Sequence, residues 1–222
     1  MSPSEIPTVP APEPLPLSRH LRQSTMREHR NAEASPFIVG LLGGALTLED
    51  YSRYLVNMAW LYKSLEEQCT KGEPLEGSYG IWDPRLNRGD AITSDLFHLG
   101  VTDWETNTMP SKAMASYIDH VASMEGRSDP RLIAHHYTRY LGDLSGGQGI
   151  ATLVARHYGA TKDQLSFYRF EGIENLVRFK EGYRKALDSI VLTAAQHASI
   201  IAEAKSAFVK NQQVFDDLAT AA

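Results

Sequence analysis

An all-α fold, a single compact multi-helix domain, is what the sequence predicts, on three observations. Residues 48 to 69 place Leu48, Tyr51, Leu55, Met58, Ala59, Tyr62, Leu65 and Cys69 at steps of three and four, an apolar stripe with the period of a helix. Helix-start signals recur along the chain. Strand signals are nearly absent, with no Asn-Gly or Asp-Gly hairpin pair and no long β-branched alternation. Dividing the 222 residues by ordinary helix lengths gives about seven or eight helices.

The elements follow in order. Six of the eleven prolines fall in the first sixteen residues, where each fixes φ and removes an amide donor. Residues 1–16 are therefore expected to be a disordered tail, with the helical domain running over 17–222. The segment LRQSTMREHRNAE (21–33) reads as helix. Thr47 followed by Asp50 resembles a capping box at the head of the 48–69 helix. Residues 71–83 (KGEPLEGSYGIWD) read as a loop. Met109-Pro110-Ser111 and Asp129-Pro130 open further helices, the second with Pro at the first helical position. Thr193 with Gln196 starts the last helix, in which Ile201, Ala204, Phe208, Asn211 and Phe215 repeat at steps of three and four. No internal repeat is visible.

Composition excludes several classes. A single cysteine, Cys69, permits no intrachain disulfide and no cysteine-built zinc or iron–sulfur site. Its place on a helix stripe makes it core rather than a nucleophile. No apolar run approaches the roughly 18 residues needed to span a bilayer, and the N-terminus lacks the pattern of a signal peptide. A net charge of −5 argues against a general nucleic-acid binder. The expected setting is a soluble protein of the cytoplasm.

One segment breaks the rules for a good helix. HHYTRYLGDLSGGQGIATLVARHYG (135–159) has strongly helical flanks yet carries Gly142, Gly146, Gly147 and Gly149. Each glycine costs roughly 1 kcal/mol against alanine in a helix interior. Gly142, Gly146 and Gly149 lie at i, i+4 and i+7, a bare strip on one face. Another helix packed close is one occupant of such a strip; a flat ligand resting on the backbone is the other. Arg139 and Asp143, four apart, are placed at the border of the strip, where a charged pair suits a small polar pocket beside an apolar ligand.

Among the eight histidines, His29 has Glu33 at i+4. The carboxylate can accept the Nδ1 proton and leave Nε2 free for a metal. A solvated His–Glu helix pair is the plainer alternative. His20, His98, His120 and His197 show no partner pattern. The adjacent His135 and His136 point to different faces of a regular helix and cannot share one ion. Lys180 and Arg184, at i and i+4, form one cationic face, either exposed or clamping paired carboxylates.

These segments together resemble the heme oxygenase family. YLGDLSGGQ (140–148) resembles its distal-helix signature and LRQSTMREHRNAE its proximal helix. FYRFEGI (167–173), KEGYR (180–184) and FVKNQQVF (208–215) resemble further family segments in the right order. The resemblance covers about residues 17 to 218. It implies heme b as cofactor and substrate, His29 as proximal iron ligand and Glu33 as its orienting partner. It implies Gly142 and Gly146 as close distal contacts, and Asp143 as anchor of a distal water network with Arg139 and Tyr62. Arg22, Tyr137, Lys180 and Arg184 match the positions that hold the heme propionates, and Phe208 and Asn211 the far wall of the pocket. Arg22 stands where many members carry Lys, which keeps the charge but changes its geometry. Gly149 is an extra glycine after the signature.

The implied activity is cleavage of heme by dioxygen and electrons to biliverdin, with the α isomer expected from the propionate set, plus carbon monoxide and ferrous iron. A heme carrier without catalysis is the alternative; it would have no use for Asp143 and Arg139 beside bare glycines. No nucleotide-binding glycine loop appears, so electrons would come from a partner such as a ferredoxin or an NADPH-dependent reductase. The chain ends DDLATAA, without an apolar anchor, and is expected to be monomeric.

Overall fold

The computed structural model describes residues 15–220, and every described element is helical or a turn. Most of the expected proline-rich tail, residues 1–14, lies outside the described residues. The helices are α1 (Leu17–Ser24), α2 (Met26–Glu33), α3 (Pro36–Gly43), α4 (Leu48–Thr70), α5 (Gly89–His98), α6 (Trp104–Asn107), α7 (Lys112–Ala122), α8 (Pro130–His136), α9 (Gly142–Tyr158), α10 (Leu176–Asp188) and α11 (Ala194–Thr220). They outnumber the seven or eight expected because α1, α2 and α3 have only eight residues each and α6 only four.

The start signals act as the sequence suggests. Thr47 and Asp50 form a reciprocal capping box, each side chain accepting the other's backbone N–H. Asp129 caps α8 through Arg131 N with Pro130 at the first position, and Ser111 caps α7 through Met114 N. Thr193 and Gln196 exchange the same pair of bonds ahead of α11, at 2.9 and 3.2 Å. The loop at 71–83 contains a single 3-10 turn, Tyr79–Ile81.

Two long helices organise the core. α11, 27 residues and about 40 Å long, lies against α8, α7, α2, α3 and α1. α4 lies against α7, α5 and α8. The predicted α4 stripe faces inward: Tyr51, Leu55, Met58, Ala59, Tyr62 and Leu65 are all buried. Cys69 is half-buried against the same core, and burial pushes its thiol up, away from nucleophilic use.

Two departures from regular helix position the site. α1 and α2 meet at Thr25 (φ −104°, ψ 2°), whose backbone N–H and Oγ1 both donate to Leu21 O, at 3.1 and 2.8 Å. α8 and α9 are joined by a π-helical turn, Tyr137–Leu141, so a continuous helical run extends from Pro130 to Tyr158. Such turns are rare and concentrate at functional sites. Gly159, at φ 68°, ends the run in the left-handed region that favours glycine.

Candidate active site: a cavity between His29 and a bare helix face

A cavity of about 760 Å³ is lined from two directions. The path α1–α2 contributes Ser18, Arg19, Arg22, Thr25, Met26, His29 and Arg30; the π turn and α9 contribute Tyr137, Thr138, Leu141, Gly142 and Ser145; Arg184 and Phe208 complete it. Both contributions are helical stripes, spaced i, i+4, i+7 and i+11 through Ser18, Arg22, Thr25 and His29. The sequence reading singled out only some members of each stripe. Met26 and Ser145 follow by helical spacing from His29 and Gly142, whereas Thr138 and Leu141 lie in the π turn, which no motif marks.

His29 Nδ1 lies 3.1 Å from Glu33 Oε2, which leaves Nε2 as the ligand atom available to the cavity. Its ring meets the Phe208 ring edge-on at 5.4 Å. Half of the His29 side chain is exposed, so the geometry is open to an incoming group.

The glycines divide by what they face. Among the described residues, a Cβ on Gly142, Gly146 or Gly149 would meet no atom within 4 Å beyond its own turn of helix. The strip is therefore not the seat of a packed helix, which removes one of its two occupants. Gly147 is the packing glycine, its face closed by the Tyr168 ring. Gly142 borders the cavity directly; Gly146 and Gly149 continue the strip beyond its lining.

The polar network lies behind that helix rather than in the cavity wall. Tyr62 donates its hydroxyl to Asp143, and Arg139 sits 3.6 Å from the same carboxylate. Arg139 also donates to Tyr62 Oη at 3.3 Å, to Asn211 Oδ1 at 3.0 Å and to Met58 Sδ at 3.3 Å. Asn211 is thus buried and bound to Arg139, while Phe208, one turn away, lines the cavity. The Asp143 carboxyl is raised by burial, and the Arg139 guanidinium and Tyr62 hydroxyl hold that rise in check. Burial and the Asp143 charge keep Tyr62 a neutral donor, well above its ordinary range. Arg139, though buried, stays charged because Tyr62 and Asp143 face it.

Charge at the cavity is one-sided. Among the described residues, Arg19, Arg22, Arg30 and Arg184 line it and no carboxylate does, in a chain of net charge −5. Ser18 N and Oγ donate to Asp188 at 2.8 and 2.9 Å, tying α1 to α10 and so bringing Arg22 and Arg184 to one rim. Both arginines act on Tyr137, whose hydroxyl burial pushes upward. Lys180, one turn before Arg184, is half-buried and outside the lining.

An imidazole with a free Nε2, a face of bare backbone and a cationic rim are features suited to a flat, anionic, metal-bearing ligand. The donor set fits heme: Gly142 offers space that a Cβ would take up, and Thr138 Oγ1, buried in the same wall, has no hydrogen-bond partner among the described residues. Comparison with known proteins agrees. The family model for heme oxygenase matches residues 15–217. The chain is 35% identical to the heme oxygenase of Guillardia theta over 204 residues, 91% of this chain and 86% of that one. It is 32% identical to heme oxygenase 1 of Synechocystis sp. over 91% of this chain and 84% of the relative. Heme oxygenase-1 from Synechocystis sp. PCC6803, solved in complex with heme, superposes with a TM-score of 0.85 at 30% identity, covering 93% of this chain and 96% of that chain. Heme oxygenase from Leptospira interrogans superposes at 0.84 with 35% identity, over 90% and 98% of the two chains. The chain belongs to the heme oxygenase family, whose members are heme-degrading oxidoreductases. Among the described residues, no helix is long and apolar enough to cross a membrane.

Proposed function

We propose that this chain binds heme b in the cavity, where His29 would hold the iron, and cleaves it with dioxygen and electrons to biliverdin, carbon monoxide and ferrous iron. The observation that carries this reading is the bare strip at Gly142, where among the described residues nothing beyond its own turn of helix would touch an added methyl group, in the same cavity that His29 enters. When bound, the heme iron supplies the reduction of dioxygen, and the porphyrin rim is what is oxidised.

Each residue has a defined task. Glu33 accepts a hydrogen bond from His29 Nδ1–H and fixes its tautomer, so that Nε2 would be the atom available to hold the iron. Gly142 and Gly146 would keep side chains off the face of α9 turned to the heme, so that no acidic side chain of the strip would touch it. Asp143 holds a proton-delivering water from its place behind the strip, with Tyr62 and Arg139 fixing its carboxylate. Arg22, Arg184 and Tyr137 hold the propionates at the rim, with Lys180 adding charge nearby; this orientation selects the α-meso edge and gives the α isomer. Phe208 packs on His29, and Asn211 steadies Arg139 from α11. Electrons come from a partner, a ferredoxin or an NADPH-dependent reductase. The domain over 17–222 acts as a monomer in the cytoplasm.

The test is reconstitution with hemin, followed by turnover with a reductant and dioxygen. A sharp Soret band, one hemin per chain, and chromatographic recovery of the α isomer are expected. Stoichiometric binding without any bile pigment would identify a heme carrier instead.

A further inference from the structure

Away from the heme cavity, three helices bring two imidazoles and a carboxylate to one point. His120 of α7, His135 of α8 and Glu203 of α11 each offer one ligand atom, and the three atoms lie within 4.8 Å of one another. His120 Nε2 stands 2.7 Å and His135 Nε2 2.8 Å from the same oxygen, Glu203 Oε1. The grouping is not a local accident of sequence, since Glu203 is 83 positions from His120 and 68 from His135. None of the three enters the heme site described above.

We propose that His120, His135 and Glu203 form a second metal site that takes a divalent first-row transition cation. Two imidazoles and a carboxylate are a donor set that such cations favour, and three protein ligands leave a position open to water. Around a tetrahedral ion with ligands at about 2.0–2.1 Å, ligand atoms are about 3.3 Å apart, so each contact to Glu203 must open by roughly 0.5 Å. Each neutral ring then carries its one proton on Nδ1. For His135 that proton has a recipient in place: Tyr117 Oη lies 2.9 Å from Nδ1. Arg131, which also acts on Glu203, is paired with Asp129 at 2.6 Å and does not claim the carboxylate. The His120 side chain is 28% exposed, against 1% for His135, so the cation reaches the cluster past His120.

Equilibrium dialysis of the full chain against micromolar Zn2+, with bound metal counted by elemental analysis, tests the site. One Zn2+ per chain is expected. His120→Ala should weaken uptake at least tenfold, while His29→Ala and His197→Ala leave it in place. A hemin titration of His120→Ala that matches the parent Soret band shows that this variant folds. Thermal unfolding should rise with Zn2+ in the parent and not in His120→Ala, because the ion ties α7, α8 and α11 together. Equal Zn2+ uptake by parent and His120→Ala, no uptake by the parent, or loss of uptake with His29→Ala would each overturn the assignment.

Discussion

The backbone of Gly147 lies against the ring of Tyr168, so close that a Cβ there would stand 3.0 Å from Tyr168 Cδ1. The ring cannot withdraw easily. It is buried, it packs on Phe167 at 4.8 Å, and Gln148 Nε2 donates to the Tyr168 carbonyl at 2.7 Å. The same helix thus carries one glycine needed for packing and others that face open space, and the two kinds should respond oppositely to alanine.

Gly147→Ala gains about 1 kcal/mol of helix propensity but forces an overpacked contact that costs about 1–3 kcal/mol. A net loss near 1 kcal/mol is expected in urea unfolding, with hemin affinity little changed. Among the described residues, Gly142→Ala meets no atom beyond its own turn of helix and should be about 1 kcal/mol more stable without ligand. Its methyl enters the cavity, so hemin should bind more weakly. Stabilisation together with undiminished hemin affinity would show that the strip is not a ligand surface.

Asp143 invites a second substitution. Asp143→Ala removes the acceptor of the Tyr62 hydroxyl and the carboxylate facing Arg139, but leaves Arg139 bound to Asn211 and Met58. The folded chain should survive with a loss of about 1–3 kcal/mol from the unmet donors. Hemin affinity should hold within a few-fold while biliverdin yield collapses. A full yield of biliverdin from Asp143→Ala removes the residue from the proton path.

How much of this was readable beforehand depends on how far apart the partners lie in sequence. The capping boxes at Thr47 and Thr193 involve residues three apart, and both formed as the sequence suggested. His29 and Glu33, four apart, likewise meet. Arg139 was placed at the border of the glycine strip by regular helical spacing. Arg139 still meets Asp143, four residues on, at 3.6 Å, but its other partners lie 72 to 81 positions away. No local signal announces a π turn, and none ties Arg139 to Met58 or Asn211. His120 failed for the same reason: it had no partner within its own helix, and its partners came from α8 and α11.

The cationic rim gives a prediction about regiochemistry. Arg22 and Arg184 reach one side of the cavity because Ser18 and Asp188 join their helices. Exposed single charges contribute modestly, about 1 kcal/mol or less. Arg184→Ala should therefore weaken hemin only about fivefold. Its larger effect should be on orientation, read as the appearance of isomers other than α in the chromatographed product. Isomer ratios identical to the parent in both Arg184→Ala and Arg22→Ala would mean that these residues do not set the cleavage edge.

His136 should make stability depend on pH in mildly acidic solution. Its ring is buried, accepts from Tyr183 Oη through Nδ1 at 2.7 Å, and stacks parallel to the Tyr183 ring at 5.7 Å. Burial lowers its pKa to about 3, whereas an unfolded histidine titrates near 6.5. Between those values the unfolded chain binds a proton that the folded chain refuses. Stability from this group is complete above pH 6.5 and is lost as pH falls toward 3. Between pH 7 and pH 5 the loss should be on the order of 2 kcal/mol. His135, also lowered by burial, acts in the same direction, so the comparison must isolate one ring. His136→Gln keeps an acceptor for Tyr183 but cannot titrate. Urea unfolding at the two pH values should show a smaller drop in His136→Gln than in the parent, by about that 2 kcal/mol. Equal drops in the two proteins would show that the folded state admits the proton and that the ring is not held neutral.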